Sequence, residues 1–177
     1  MSTVVAAAEG AGSRPDFSTA AEAHLDDVYR YLIHMTGNRD LAEDLTADTF
    51  ERALRAWGRY RPSEGPMLSW LLGIARHRAL DHFRRERRRR DRDARYGAVQ
   101  PRSSEPPDLP GGLSAPMRAA LERLEPRDRE LIGLRVVLGL DATTAAKILD
   151  ITPTTCTTRL HRALGRLRKE VSPDDVT

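Results

Sequence analysis

The sequence predicts an all-α protein of two small helical domains joined by a flexible Pro-rich linker, the second domain being a helix-turn-helix. Apolar residues recur at helical spacing through most of the chain, while strand-like alternation is scarce and only 5% of the 177 residues are aromatic. Between residues 96 and 116 the composition shifts to proline and glycine, which do not sustain a helix. A chain of this length holds one domain or two small ones.

The first domain is predicted over residues 20–95, after a disordered tail at 1–19 that offers nothing periodic to bury. Its first helix ends at Gly37, and its second, over residues 40–57, exposes an acidic stripe. That stripe contains Asp44 and Asp48, with Leu41 and Leu45 beside it. Like charges four residues apart disfavour an isolated helix, so the stripe predicts a basic partner surface. A solvated acidic face is the alternative.

A third helix follows a polar loop and is predicted to be capped or begun by Ser69. One face is apolar, while another carries Trp70 and His77 and leads into an arginine tract that starts at Arg84. An aromatic plate beside phosphate-neutralising cations suits single-stranded nucleic acid. The alternative places Trp70 in the core. His77, Asp81 and His82 lack further ligands nearby, so the sequence predicts neither a metal site nor a cofactor.

The second domain, residues 117–171, is predicted to hold two supporting helices, at 119–124 and 127–138, and then the helix-turn-helix, with a loose tail at 172–177. At the bend Asp150 can adopt a left-handed conformation at modest cost, Thr152 can cap the last helix with its hydroxyl, and Pro153 suits its first position.

The last helix separates an apolar stripe from a polar face. Residues on or flanking the polar face are Thr154, Thr155, Thr158, Arg159, His161, Arg162 and Arg166. Small hydroxyls at the front of such a helix approach base edges, and arginines behind them reach guanine or phosphate. An ordinary amphipathic helix with a solvated polar face is the alternative.

Charge, cysteine content and hydropathy limit the possible partners and the possible location of the protein. The net charge is +3, with an acidic helix and a separate arginine run, so partners of both signs are plausible. The single cysteine, Cys156, excludes an internal disulfide and lies in an apolar stripe, which favours a packed thiol over a redox switch. No apolar run approaches the roughly 20 residues of a membrane span, and no secretion signal is evident. We expect no membrane insertion and a cytoplasmic location.

Several short sequence strings occur in a characteristic order along the chain. They are Leu41-Ala42-Glu43-Asp44-Leu45 with Thr49-Phe50, then Trp70-Leu71 with Ile74-Ala75-Arg76 and Ala79-Leu80-Asp81, and finally Leu124-Glu125-Pro126-Arg127 with Arg159-Leu160-His161-Arg162-Ala163-Leu164. In this order and spacing they resemble the bacterial extracytoplasmic-function (ECF) sigma factors of the sigma-70 superfamily. The resemblance covers residues 23–90 and 121–171, most of the chain.

The resemblance implies an alternative sigma factor, not itself an enzyme, that binds core RNA polymerase and directs promoter recognition, DNA melting and transcription initiation at a subset of promoters. It implies a region 2-like domain at 20–95 and a region 4-like domain at 117–171. The implied partners are the clamp helices and flap of the polymerase, promoter DNA and an anti-sigma factor.

The same resemblance assigns three sets of residues. The residues that would bind core polymerase are Leu41, Asp44, Leu45 and Asp48. Those that would bind the opened minus-ten strand are Tyr60, Arg61, Met67, Trp70, His77 and Arg84. Those that would bind the minus-thirty-five duplex are Thr154, Thr155, Thr158, Arg159 and Arg162.

Two other kinds of binding protein remain as alternatives. A free-standing helix-turn-helix regulator would bind duplex DNA without polymerase, but it gives the acidic helix and Trp70 no role. An RNA-binding protein would rely on the arginine tract and would tolerate scrambling of residues 154–162. An enzyme acting on nucleic acid is disfavoured, because no nucleophile–base pair or carboxylate metal cluster stands out.

Overall fold

A computed structural model of the chain describes residues 16–95 and 115–171, which form seven α-helices and no strand, as the all-α prediction requires. The helices are α1 Phe17–Thr36, α2 Arg39–Arg55, α3 Met67–Arg95, α4 Ala115–Arg123, α5 Pro126–Ile132, α6 Ala142–Leu149 and α7 Pro153–Glu170. Two 3-10 turns, Trp57–Arg59 and Pro62–Glu64, join α2 to α3, and a π-helical segment, Gly133–Val137, follows α5. The predicted tails and linker lie almost entirely outside the described ranges.

Helices α1, α2 and α3 form the first domain. Helix α1 begins three residues before the predicted domain start, where the Asp16 side chain accepts a hydrogen bond from the Ser18 N–H at 3.1 Å. It ends at Gly37, whose φ of 60° is the left-handed conformation that glycine adopts without strain. Asn38 then caps α2 by accepting the N–H of Leu41 at 2.9 Å. The reversal of chain direction between α1 and α2 thus follows from Gly37 and Asn38.

Helix α3 starts earlier than the sequence predicted. Its first turn closes with a hydrogen bond from the Trp70 N–H to the Pro66 carbonyl at 3.3 Å, so the helix begins at Met67 and Ser69 is not its cap. A comparable difference occurs at α4, which begins at Ala115, two residues inside the predicted linker. Pro116 is tolerated there because a first-turn N–H has no helical partner in any case.

The helix-turn-helix of α6 and α7 confirms the predicted local chemistry. Asp150 has φ 56° and ψ 50°, a left-handed conformation, and Thr152 Oγ1 accepts the N–H of Thr155 at 3.2 Å. Pro153 stands at the first position of α7. Cys156 is fully buried, and burial raises the pKa of its thiol, which agrees with the predicted packed role.

The two domains pack directly against each other. The Tyr31 hydroxyl of α1 donates to Glu130 of α5 at 2.8 Å, and the Arg76 Nε of α3 donates to the same carboxylate at 2.7 Å. Burial and the neighbouring Glu130 raise the pKa of Tyr31 well above 10, so the phenol remains a donor. The Nε2 of His34 donates to the Arg129 carbonyl at 2.7 Å. Sequence reasoning did not anticipate this interface.

Candidate nucleic-acid interface

The polar residues of α7 fall into two groups: some are free at the surface, and others bind residues of their own domain. Thr154, Thr158 and Arg162 are exposed at every fourth position. The Thr155 hydroxyl instead contacts the Thr152 hydroxyl at 2.8 Å within the helix cap. Arg159 is only partly exposed and binds acidic residues of its own domain. All five residues assigned to the upstream duplex nevertheless line one concavity of about 490 Å³.

A buried carboxylate, which sequence reasoning missed, holds two arginines of α7. Asp128 in the first turn of α5 is fully buried; its Oδ1 accepts Arg159 Nε at 2.6 Å and its Oδ2 accepts Arg166. Hydrogen bonds between ionised partners are the stronger kind, and here the carboxylate is removed from water while Arg159 and Arg166 remain partly or largely exposed. No local pattern identifies Asp128, since its partners lie 31 and 38 residues further along the chain.

An aromatic cluster forms one wall of a larger groove. The ring centroids of Tyr60 and Trp70 lie 5.2 Å apart, and Trp57 stacks on Tyr60 at 5.6 Å with an angle of 16° between the planes. Phe17 meets Trp57 edge-on at 5.2 Å. Trp70 is half-buried, so it contributes both to packing and to the groove surface.

The groove itself lies between the domains and has a volume of about 990 Å³. Its cationic lining consists of Arg52, Arg55, Arg59, Arg61, Arg78 and Lys147, and His77 lies beside them. Helix α6 forms one side, and Lys147 on that helix donates to the backbone carbonyl of Glu64 in the loop before α3. A cationic groove with an aromatic wall suits a strand that presents both phosphates and unstacked bases.

The six residues assigned to the minus-ten strand do not all reach this groove. Arg61, Trp70 and His77 line it, and Tyr60 borders it although that side chain is 4% exposed and packs in the hydrophobic core. Met67 does not, because it is 2% exposed and belongs to the hydrophobic core. Arg84 lies one to two turns beyond the groove and pairs with Asp81 at 3.5 Å.

The acidic face of α2 is partly neutralised within the domain. Asp48 pairs with Arg78 and, at 3.1 Å, with Arg52. Burial acts to raise the pKa of Asp48, but the two arginine hydrogen bonds outweigh it and leave that pKa below 3.8. Asp44 is exposed and makes no ion pair within the part of the chain that the structure describes.

The leucines beside this face differ in accessibility. Leu45 is 6% exposed and packs in the core, whereas Leu41 is half-buried. The sequence placed both at the edge of an exposed stripe. Of the four residues assigned to polymerase binding, Asp44 is therefore exposed, Leu41 and Asp48 are half-buried, and Leu45 is buried.

Two absences concern the described ranges 16–95 and 115–171 only. No group of three or more histidine, cysteine or acidic side chains is placed to hold a metal ion. No helix there combines the length and the apolar content that a membrane span requires.

A three-helix domain with a cationic, aromatic-walled groove, joined to a helix-turn-helix domain, defines a two-domain helical DNA-binding protein. Comparison with protein families makes the class specific. Residues 20–89 match the family described as Sigma-70 region 2, and residues 114–167 match Sigma-70, region 4.

Curated relatives and solved structures agree with these matches. The RNA polymerase sigma factor CarQ of Myxococcus xanthus is 31% identical over 158 residues, which cover 89% of this chain and 90% of CarQ. The ECF RNA polymerase sigma factor BldN of Streptomyces coelicolor is 32% identical over 168 residues, covering 93% of this chain and 63% of BldN. The sigma factor RpoE of Bartonella quintana, solved with the anti-sigma factor NepR, gives a TM-score of 0.68 at 25% identity, covering 90% of this chain and 98% of RpoE.

The chain belongs to the ECF sigma factors of the sigma-70 family. It is an alternative sigma factor, and its function is promoter-specific initiation of transcription. The prediction from sequence is confirmed, and the free-standing regulator and the RNA-binding protein are set aside. Because the match extends over both domains, it accounts for the acidic helix and Trp70 as well as for the helix-turn-helix.

Proposed function

We propose that this sigma factor uses three separate surfaces: one for core polymerase, one for the opened minus-ten strand and one for the minus-thirty-five duplex. The observation that carries the proposal is the side of the groove that the first domain lines, because it combines arginines with the half-buried aromatic Trp70 and does not depend on α6. Unstacking a base costs a few kcal/mol, and a prepared aromatic wall offsets part of that cost. The polymerase performs the chemistry, so we assign no catalytic step to this chain. Because it would act with RNA polymerase on promoter DNA, we propose a cytoplasmic location.

Core polymerase would bind the exposed end of the acidic face of α2. Asp44 supports this assignment because its charge is not neutralised by a neighbouring cation, and half-buried Leu41 offers apolar area beside it. A charged group surrounded by apolar contact area favours a complementary basic surface. Asp48 would contribute less directly, because it already pairs with Arg52 and Arg78.

The test is transcription from fragmented genomic DNA by bacterial core polymerase with and without the protein, followed by sequencing of the RNA ends. Discrete new start sites that share two upstream elements support the proposal. Stable duplex binding without new starts contradicts it.

A charge reversal then tests the polymerase surface. Asp44→Lys should reduce the new starts at least tenfold, because it places a cation against a basic partner. Glu22→Lys, an equal charge change at an exposed position of α1, should leave them intact. Equal losses in both variants would remove the assignment of Asp44.

We also propose that an anti-sigma factor stabilises the closed arrangement, in which the two domains pack against each other as they do in this structure. The RpoE structure, solved with NepR, is similar to this chain over both domains, which supports the proposal. Added to the transcription assay, such a partner should abolish the new starts, and limited proteolysis should show both domains protected together. Protection of one domain alone would contradict it.

A further inference from the structure

We propose that the residues assigned to the upstream duplex have two roles: Thr154, Thr158 and Arg162 read base pairs, whereas Asp128 positions Arg159 and, through it, the recognition helix α7. The inference rests on the proposed use of α7 at the minus-thirty-five element. It adds a positioning residue from outside α7 and separates the contacts that select a sequence from those that orient the helix.

The reading residues form a continuous free stripe. Positions four apart on an α-helix differ by only about 40° around its axis, so Thr154, Thr158 and Arg162 follow one another along one side of α7. All three are exposed. Within the described part of the chain, no hydrogen bond or ion pair engages the Arg162 guanidinium or the hydroxyls of Thr154 and Thr158. Their donors and acceptors are therefore available to base edges.

Arg159 is held in a different way. Its Nε donates to Asp128 Oδ1 at 2.6 Å, and its Nη2 lies 3.6 Å from Glu125 Oε2. The Nε–Nη2 edge of the guanidinium therefore faces carboxylates, and Nη1 is the nitrogen that remains clear of them. That edge is one of the two that can make a bidentate contact to guanine, so Arg159 keeps only its Nη1–Nη2 end, in an orientation that Asp128 sets. Arg159 is therefore less free than Arg162 to adjust to a base edge.

Asp128 contacts the recognition helix at two places that are about two turns apart. Arg159 and Arg166 are seven residues apart, which is about two helical turns, and each binds one oxygen of the buried carboxylate. Two contacts separated along the helix axis fix the rotation of α7 relative to α5. That rotation decides which side chains of α7 face the duplex. Asp128 therefore acts on recognition without touching DNA.

The charges of the two groups support the same division. Glu125 and Asp128 balance Arg159 and Arg166, so this cluster adds no net formal charge toward the phosphates. Arg162 has no such counter-charge and keeps its full attraction for DNA.

The experiment uses the holoenzyme of the full chain on templates with a constant minus-ten element and a randomised upstream element. Sequencing of the transcripts gives the base preference at each upstream position. The variants are Arg162→Ala, Thr158→Val, Asp128→Asn and Arg159→Lys. Arg168→Ala is the charge-matched control, because Arg168 is exposed on α7 and does not line the concavity.

Arg162→Ala should flatten the preference at one or two positions by about tenfold and leave the others intact, and Thr158→Val should act on a neighbouring position. Asp128→Asn and Arg159→Lys should reduce all preferences in proportion without erasing any one. Arg168→Ala should preserve the wild-type pattern. If Asp128→Asn does not fold, the milder Arg159→Lys provides the comparison.

Three outcomes count against the proposal in distinguishable ways. A position-specific loss in Arg159→Lys would make Arg159 a reader and overturn the division. Unchanged preferences with reduced thermal stability in Asp128→Asn would make Asp128 a structural residue only. Absence of any upstream preference with the wild-type chain would overturn the proposed function itself, and this inference with it.

Discussion

Gly133 of the second domain lies directly against His34 of the first. Its backbone is ordinary helix, with φ −54° and ψ −49°, so glycine is not required there for a special conformation. A Cβ at this position would lie 2.5 Å from Cδ2 of His34 and 3.2 Å from its Nε2. The His34 ring cannot retreat easily, because it is buried and hydrogen-bonded to the Arg129 carbonyl. Glycine is therefore favoured at this position because it has no side chain to clash with the His34 ring.

Gly133→Ala should consequently destabilise the protein by about 1–3 kcal/mol, the usual cost of overpacking a well-filled site. Gly165→Ala is the matched control within α7, where an added Cβ meets nothing within 4 Å. That change should stabilise by up to about 1 kcal/mol through helix propensity. Urea unfolding of the two variants measures the difference, and stabilisation by both would show that the domains do not approach this closely.

Asp150 is the one non-glycine residue with positive φ in the described chain. A left-handed conformation costs an ordinary L-residue about 1–2 kcal/mol, and aspartate tolerates it better than most. Asp150→Gly should therefore stabilise the helix-turn-helix slightly, while Asp150→Val should destabilise it. The order of the three unfolding midpoints tests the strain, and an equal midpoint for valine would contradict it.

At the scale of elements, the features predicted correctly are those whose partners lie close in sequence. The cap at Thr152, the turn at Asp150 and the end of α1 at Gly37 each depend on residues no more than four positions apart. Helix periodicity likewise predicted all-α structure, because burial of one face repeats every turn. These parts of the fold are encoded locally.

Features that join distant segments left no local signal. The Tyr31–Glu130 bond spans 99 residues and the Arg159–Asp128 pair spans 31. Met67 was predicted to face DNA because it occupies the loop before Trp70, but α3 starts at that residue and turns it into the core. A helical wheel ranks the faces of one helix, but it does not show which faces other helices cover.

The start of α6 depends on a single cap. Asp141 accepts the N–H groups of Thr143 and Thr144 at 2.8 and 2.9 Å, and the Thr144 hydroxyl at 2.6 Å. Asp141→Ala should cost about 1 kcal/mol at neutral pH, whereas Asp141→Asn retains an acceptor and should cost less. Thermal unfolding of both variants tests the cap, and equal losses would show that the charge alone matters.

The pH dependence of that cap follows from the pKa of Asp141. Hydrogen bonds from Thr144, first from its hydroxyl and then from its N–H, lower this pKa below 3.8. The stabilisation is present above the ordinary pKa and is lost as the pH falls through the lowered one. The difference between wild type and Asp141→Ala should therefore shrink in acid.

At the scale of the molecule, the proposed binding of both promoter elements requires the two domains to leave the arrangement in which they pack together. Elements named minus-ten and minus-thirty-five lie about 25 base pairs apart, or about 85 Å of duplex at about 3.4 Å per pair. In the closed chain Lys147 of the helix-turn-helix contacts the Glu64 carbonyl beside the groove. The domains must therefore separate before the promoter is bound.

His34 makes this separation dependent on pH. Burial lowers the pKa of His34 below 6.5 and the positive charge of Arg129 adds to that effect, while the hydrogen bond to the Arg129 carbonyl opposes it. The open chain binds a proton more readily, so closure is favoured above about pH 6.5 and weakens as the pH falls below it. The radius of gyration from small-angle scattering should increase between pH 7.5 and 5.5, and His34→Gln should remove the change. A constant radius in wild type would contradict this.

Contacts between the domains, such as the Tyr31–Glu130 hydrogen bond, also affect the concentration at which the sigma factor binds its promoters. A binding-competent state that is populated one time in a hundred raises the apparent dissociation constant for its ligand about a hundredfold. Because Asp44 is exposed in the packed arrangement, closure acts on promoter binding, and the concentration of holoenzyme needed to occupy the target promoters rises exponentially with the free energy of closure. Substitutions in this interface change that threshold without altering which promoters are chosen, so sensitivity and selectivity can evolve independently.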